Sequence, residues 1–187
     1  MLNLLLQCAP AIHPVTMAAI VQHESGGDRL AIHDNTSGQS YHPDTTEQAI
    51  ALAKRLISEQ HSIDVGLAQI NDKNFGWLGL SLTKAFDPCA NLHASQKVLI
   101  KAWTAGHHNL QAALSVYNTG TPASPRGEAY ASSVYRAAGV IVPAIPGGRM
   151  DWNYSALPPV RVIVKPSPEA SPFNPQPADK QHPAVWR

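Results

Sequence analysis

The sequence predicts a mainly α fold with a short β-hairpin and an extended C-terminal tail. Three observations lead there. Successive apolar segments open on capping or proline residues and close on glycine. One stretch, residues 28–43, is crowded with turn formers instead. Composition then shifts near residue 140: ten of the 48 residues from 140 to Arg187 are proline, and the apolar residues there lose helical period. With 187 residues, this reads as one domain over 1–139 and a proline-rich, weakly ordered tail over 140–187.

The elements follow in order. Pro14, at a first-turn position, opens a helix that runs to about Glu24, and Gly26-Gly27 ends it. Asp34, Asn35, Ser37, Gly38, Ser40 and Pro43 then suit turns, with a hairpin around Asn35 to Gly38. Asp44-Thr45-Thr46-Glu47 looks like a capped start, with Asp44 as acceptor and Glu47 three residues on. That helix reaches about Gln60, with Ile50, Ala53, Leu56 and Ile57 on one face and Lys54, Arg55 and Glu59 polar. Asp64 is expected to cap the short segment Val65 to Asn71. Asp87-Pro88 opens a long helix that Gly106 ends, with Leu92, Val98, Leu99, Ala102 and Trp103 on its apolar side. Asn109 starts another, which Gly120 stops, and a last one spans about Glu128 to Ala138. In the tail, Val160-Arg161-Val162-Ile163-Val164 could form a single strand.

Composition removes several classes of function. A net charge of +1 with no cluster of Lys and Arg argues against a nucleic-acid partner. No apolar run is long enough for a transmembrane segment. Met1 to Leu6 has no basic residue ahead of it and is too short for an ordinary signal peptide. Gln7 before Cys8 makes a poor lipoprotein cleavage site, so no export signal is evident. Cys8 and Cys89 lie 81 residues apart and lack metal-site spacing. They are either two buried thiols or one disulfide closing a long loop, which would be worth about 4 kcal/mol by loop-closure entropy.

Glu24 is the first residue that invites chemistry. It ends a packed helix and meets Ser25-Gly26-Gly27. That placement suits a general acid, because burial favours the protonated carboxyl and the glycines let a ligand approach the backbone. The plain alternative is a solvated acid near a helix C-terminus, where the dipole disfavours it. His23-Glu24 is not a zinc motif, since the position four after His23 is Gly27, and no metal or other cofactor is expected. His107-His108 falls in a turn. Ser25 has no matching His and Asp for serine hydrolysis. Asp64 has a second reading, as a partner carboxylate in a hydrolase. Trp77 is either a sugar platform or a packed aromatic.

Three segments stand out together: Glu24-Ser25-Gly26-Gly27, Asp64-Val65-Gly66-Leu67-Ala68-Gln69-Ile70-Asn71, and Ala113-Leu114-Ser115-Val116-Tyr117-Asn118-Thr119-Gly120. In order and approximate spacing they resemble the catalytic domain of soluble lytic transglycosylases, a branch of the lysozyme-like fold. The resemblance covers about residues 8 to 139. Cys8-Ala9-Pro10 and Asp87-Pro88-Cys89-Ala90-Asn91-Leu92 look like the small transglycosylases of type IV secretion and conjugation systems.

The resemblance implies an α+β lysozyme-like domain that cleaves peptidoglycan glycan strands. Glu24 would be the single catalytic acid. It would protonate the bond between N-acetylmuramic acid and N-acetylglucosamine, then take the proton of the muramoyl 6-hydroxyl to leave a 1,6-anhydro end. Ser25, Gln69, Asn71, Tyr117 and Asn118 would bind substrate or brace the segments that do. It also implies a Cys8–Cys89 disulfide in an oxidising periplasm, and a tail that docks on components of a secretion or conjugation apparatus. The chain departs from the family pattern at Ala68, where Met is common, and at Val116, where Ala is frequent. His33 stands about where some relatives carry a Ser that holds the acetamido group. The rival readings are a lysozyme-type hydrolase on the same fold and an assembly or glycan-binding protein of low activity.

Overall fold

The computed structural model describes residues 1–139. The tail from 140 to 187, with the strand expected at Val160 to Val164, lies outside the described residues. The mainly α expectation holds: helices dominate, beside a small antiparallel sheet.

The helical body begins with α1 (Leu2–Cys8), a helix that no side-chain cap marks in the sequence. It buries Leu5 and Cys8, and the disulfide from Cys8 to Cys89 ties its end to the start of α6 (Pro88–Ala105), with Cα atoms 5.0 Å apart. Next, α2 (Pro14–Ser25) starts on Pro14 at its first position and ends on Gly26, whose φ of 63° needs no Cβ to avoid. Then α6, with Asp87 accepting from Ala90 N, packs on α7 (Leu110–Thr119), which Asn109 caps. The last helix, α8 (Pro125–Ala137), starts three residues before the expected Glu128. Ser124 caps it by accepting from Gly127 N at 3.0 Å. The core of the body is apolar, with Met17, Ile20, Leu92, Leu99, Leu114, Val116 and Val134 almost fully buried.

The second region is a sheet with strand order β2-β1-β3-β4. The expected hairpin is β1 (Ile32–Asp34) with β2 (Gln39–Tyr41), pairing Ile32 with Tyr41. β1 also pairs with β3 (Ile63–Val65), which pairs with β4 (Ile70–Asn71). Asp64 therefore sits inside a strand, paired with Asn71, and caps no helix. The reason is that Val65 and Ile70 close a tight loop through Gly66, at φ 80°, rather than starting a helical turn. Against this sheet packs α3 (Thr46–Ser58). Its N-cap is Thr45, with Gln48 completing the capping box, one residue later than the Asp44–Glu47 pair expected. A second, smaller core of Leu30, Ile32, Ala53, Leu56, Ile63, Val65 and Phe86 lies here. A 3-10 turn (Asp72–Asn74) and two short helices, α4 (Phe75–Leu78) and α5 (Leu82–Ala85), bridge sheet and body. Phe75 and Leu80 pack against both cores. No described helix is long and apolar enough to cross a membrane.

Candidate active site

Between sheet and body lies an open cleft of about 280 Å³. The end of α2 supplies His23, Glu24, Ser25 and Gly26 to its lining. The hairpin adds His33, Asn35, Ser40 and His42. Asp64, Gln69 and Arg126 complete its polar surface.

Glu24 is half-buried. Tyr130, on α8, donates its hydroxyl to Glu24 Oε1 at 2.7 Å, which orients the carboxyl. The same ring stacks on Tyr117, with centroids 6.2 Å apart, and receives the edge of His23 at 4.9 Å. Burial, and secondarily the charge of Arg136, holds His23 below the ordinary imidazole range. The acid therefore stands beside an imidazole that resists becoming cationic.

The other motif residues brace this acid. Ser25 Oγ donates to Leu67 O at 2.8 Å and accepts from Gly27 N, tying the turn after Glu24 to the loop after β3. Gln69, at φ 46°, lines the cleft and is buried. Its Nε2 donates to Ala31 O and Gly66 O, pinning that loop to the start of β1. Tyr117 is buried and donates to Ala68 O at 3.0 Å, beneath the same loop. Asn71 is buried too: its Nδ2 donates to Asp64 Oδ1 and Ser62 Oγ, and its Oδ1 accepts from Lys73 N. Asn118 lies on the last turn of α7. Thus Glu24, Ser25 and Gln69 line one cleft, whereas Tyr117, Asn71 and Asn118 lie outside its lining.

His33 does line the cleft, its Nδ1 2.9 Å from Ser40 Oγ. Trp77 is no part of it. It packs against the helical core, donates to Asn74 and carries Lys101 over its ring. His107 and His108 lie exposed in the turn between α6 and α7. Among the described residues no group of three or more His, Cys, Asp or Glu is placed to hold a metal ion.

Sequence reasoning missed three contributors. Tyr130 looked like any apolar-face residue of a helix. Asn91 lies within a quoted motif, but its work is structural. Its Oδ1 accepts from Ala68 N, and its Nδ2 donates to Val65 O and Ala85 O. Gly66 must pass so close to Asn91 that a Cβ there would collide with it and lie 2.8 Å from Ala85 O. The third, Arg126, carries no motif signal at all.

A helical body and a small antiparallel sheet that enclose a half-buried glutamate define a lysozyme-like protein. The chain belongs to the family described as Transglycosylase SLT domain, which matches residues 2–136. It is 35% identical over 167 residues to Protein virB1 of Agrobacterium fabrum (strain C58), an overlap covering 81% of this chain and 68% of that protein. It is 38% identical over 145 residues to Protein virB1 of Rhizobium radiobacter, covering 74% of this chain and 61% of that one. Type IV secretion system protein virB1 of Brucella abortus biovar 1 is 40% identical over 93 residues, half of this chain and 39% of that protein. No solved structure matches the chain significantly.

Proposed function

We propose that this protein is a peptidoglycan lytic transglycosylase that opens the cell wall locally for a type IV secretion or conjugation apparatus. Family membership and the virB1 relatives support the class and the setting. The observation that carries the mechanism is Glu24, half-buried in the cleft with its carboxyl oriented by Tyr130. In this reading Glu24 gives its proton to the oxygen that leaves the muramoyl C1. Positive charge grows at C1 as that bond breaks. The ionised Glu24 then takes the proton of the muramoyl 6-hydroxyl, whose oxygen bonds to C1. The acid is regenerated, no water is consumed, and the product ends in a 1,6-anhydro ring. Ser25 and Gln69 hold the cleft's floor in register, and Tyr117, Asn71 and Asn118 act from behind it.

Glu24→Gln keeps the shape and removes the proton. Cleavage of purified peptidoglycan should fall by about 10³-fold, in the range of a lost general acid, with an unchanged circular dichroism spectrum. Undiminished cleavage would eliminate the mechanism.

One observation favours a second reading. Asp64 lines the same cleft, buried, with its Oδ1 accepting from Asn71 at 2.9 Å. Two carboxylates flanking a glycosidic bond suit hydrolysis. Product analysis separates the two: a 1,6-anhydro muramic end supports transglycosylation and a reducing end supports hydrolysis.

The disulfide suits an oxidising compartment, so the site of action in this reading is the periplasm. Residues 1–139 form the catalytic domain, and the proline-rich 140–187 docks on the apparatus. Deleting 140–187 should leave glycan cleavage intact and abolish recruitment. Unchanged recruitment would remove the docking role.

A further inference from the structure

Arg126 is among the cleft residues that the proposed bond cleavage leaves without a task. Arg126 is the only Arg or Lys among the described residues lining the cleft, and it is exposed. A guanidinium stays charged at any physiological pH. Packing sets its backbone position. Gly127, next to it, meets α7 so closely that a Cβ there would collide with Ser115, which seats the first turn of α8. Tyr130 lies four residues on, on the same helix face, and its hydroxyl reaches Glu24. Arg126 therefore stands about one helical turn, some four residues or about 6 Å along the axis, from the residue that touches the acid.

A fixed cation there does not serve the transition state. Breaking a glycosidic bond builds positive charge at the anomeric carbon, which a neighbouring guanidinium opposes. Arg126 instead suits an anion carried outside the reacting ring. If the cleft takes peptidoglycan, as proposed above, that ring supplies one. Muramic acid bears a lactyl arm on O3. It ends in a free carboxylate on bare strands and continues into a peptide with carboxylates on stem-bearing strands.

We infer that Arg126 is a substrate-selecting residue that pairs with a carboxylate on the O3 arm of the bound muramoyl unit. It distinguishes peptidoglycan from neutral glycans that share its backbone, such as chitin oligomers. His33 and Ser40, from the hairpin, are left to contact neutral sugar groups.

The test uses the full chain with Glu24→Gln, so that ligands bind without turnover. It titrates three probes: an N-acetylglucosamine hexamer, which has no carboxylate, a stem-free peptidoglycan strand, and a stem-bearing strand. Adding Arg126→Gln should weaken carboxylate-bearing strands about tenfold relative to the hexamer, the size of one charge-assisted hydrogen bond. High salt should shrink that gap. A loss on bare strands identifies the lactyl carboxylate, and a loss confined to stem-bearing strands identifies the peptide. An equal loss on all three probes, or no loss on any, overturns the inference while leaving the cleavage reading standing. A Glu24→Gln protein that binds none of the three would sink both.

Discussion

In the helical body, the acid is held by apolar packing and a long-range hydrogen bond from Tyr130. In the sheet region facing it across the cleft, the order comes from buried polar side chains. The strands there are two or three residues long, too short for a ladder alone to set register. Asp34 takes over that task. It is fully buried and accepts from Thr36 N, Ser37 N and Ser37 Oγ, with His61 Nδ1 2.7 Å from its Oδ2. Asn71, Asn91 and Gln69 add directed bonds between β3, β4 and the loop that joins them. No buried side-chain N or O atom among the described residues lacks a partner. The contrast teaches that one wall tolerates small changes in shape, because area is shared among many contacts. The other fails at single atoms, because each lost partner orphans a buried group.

The largest expected effect lies in the body. Replacing both Cys8 and Cys89 with Ser opens a loop spanning 81 residues. Stability should fall by about 4 kcal/mol in urea unfolding. A loss below about 1 kcal/mol would mean that packing of Leu5 alone secures α1 and that the body owes its stability almost wholly to buried area. Gly66→Ala strikes the other wall. The added methyl meets Asn91 and Ala85 O at a φ that L residues rarely adopt. About 3 kcal/mol should be lost, together with the order of Gln69. If the variant unfolds at the same urea concentration as wild type, the sheet is more plastic than its bonds suggest.

Acid should separate the two regions. His23 and His93, both on helices of the body, are held below the ordinary imidazole range, chiefly by burial. Folding favours their neutral forms, so this contribution is complete above about pH 6.5 and declines as pH falls below it. Burial alone would raise Asp34, but its hydrogen bonds from Ser37, His61 and Thr36 outweigh that and hold it well below the usual carboxylate range. Its contribution is complete above about pH 4 and is lost only as pH falls further. Melting temperature against pH should therefore show a shallow decline from about pH 6.5 and a steeper one below 4. Asp34→Asn should be less stable at neutral pH but lack the steep limb. A steep limb that survives the substitution would move the acid sensitivity elsewhere.

The same contrast explains what was legible in the sequence. Helices α2, α6 and α7 announced themselves through Pro14, Asp87, Asn109 and the glycines that stop them, and α3 through the polar run that opens it, because caps act locally. In α1, Met1 makes no side-chain cap bond and the helix is only seven residues long, so its order depends on the distant Cys89. β3 is only three residues long, so the alternation of Ile63, Asp64 and Val65 is too short to read as a strand, and all three are buried. Asp64 looked like a cap because a short polar side chain before an apolar run is ambiguous until its pairing is known. Glu24, Ser25 and Gln69 were readable as an ordered set of motifs. Tyr130 was not, because a tyrosine on the packed face of α8 has the same sequence signature whether its hydroxyl meets a cleft carboxyl or solvent.

Tyr130→Phe is the smallest and most discriminating change. It keeps the ring that stacks on Tyr117 and meets His23, and removes only the hydroxyl on Glu24. The packing of the body should survive, with unfolding stability within about 1 kcal/mol of wild type. The orientation of the carboxyl should not. Turnover of peptidoglycan should fall about tenfold, equivalent to about 1.4 kcal/mol, with little change in the substrate concentration at half-maximal rate. The body would then be more than a rigid mount for the acid, since one bond from α8 sets the acid's aim. Wild-type turnover in Tyr130→Phe would show that the turn at Ser25, tied to the loop of the sheet, aims Glu24 instead. Control of the acid would then pass from the helical body to the polar wall opposite.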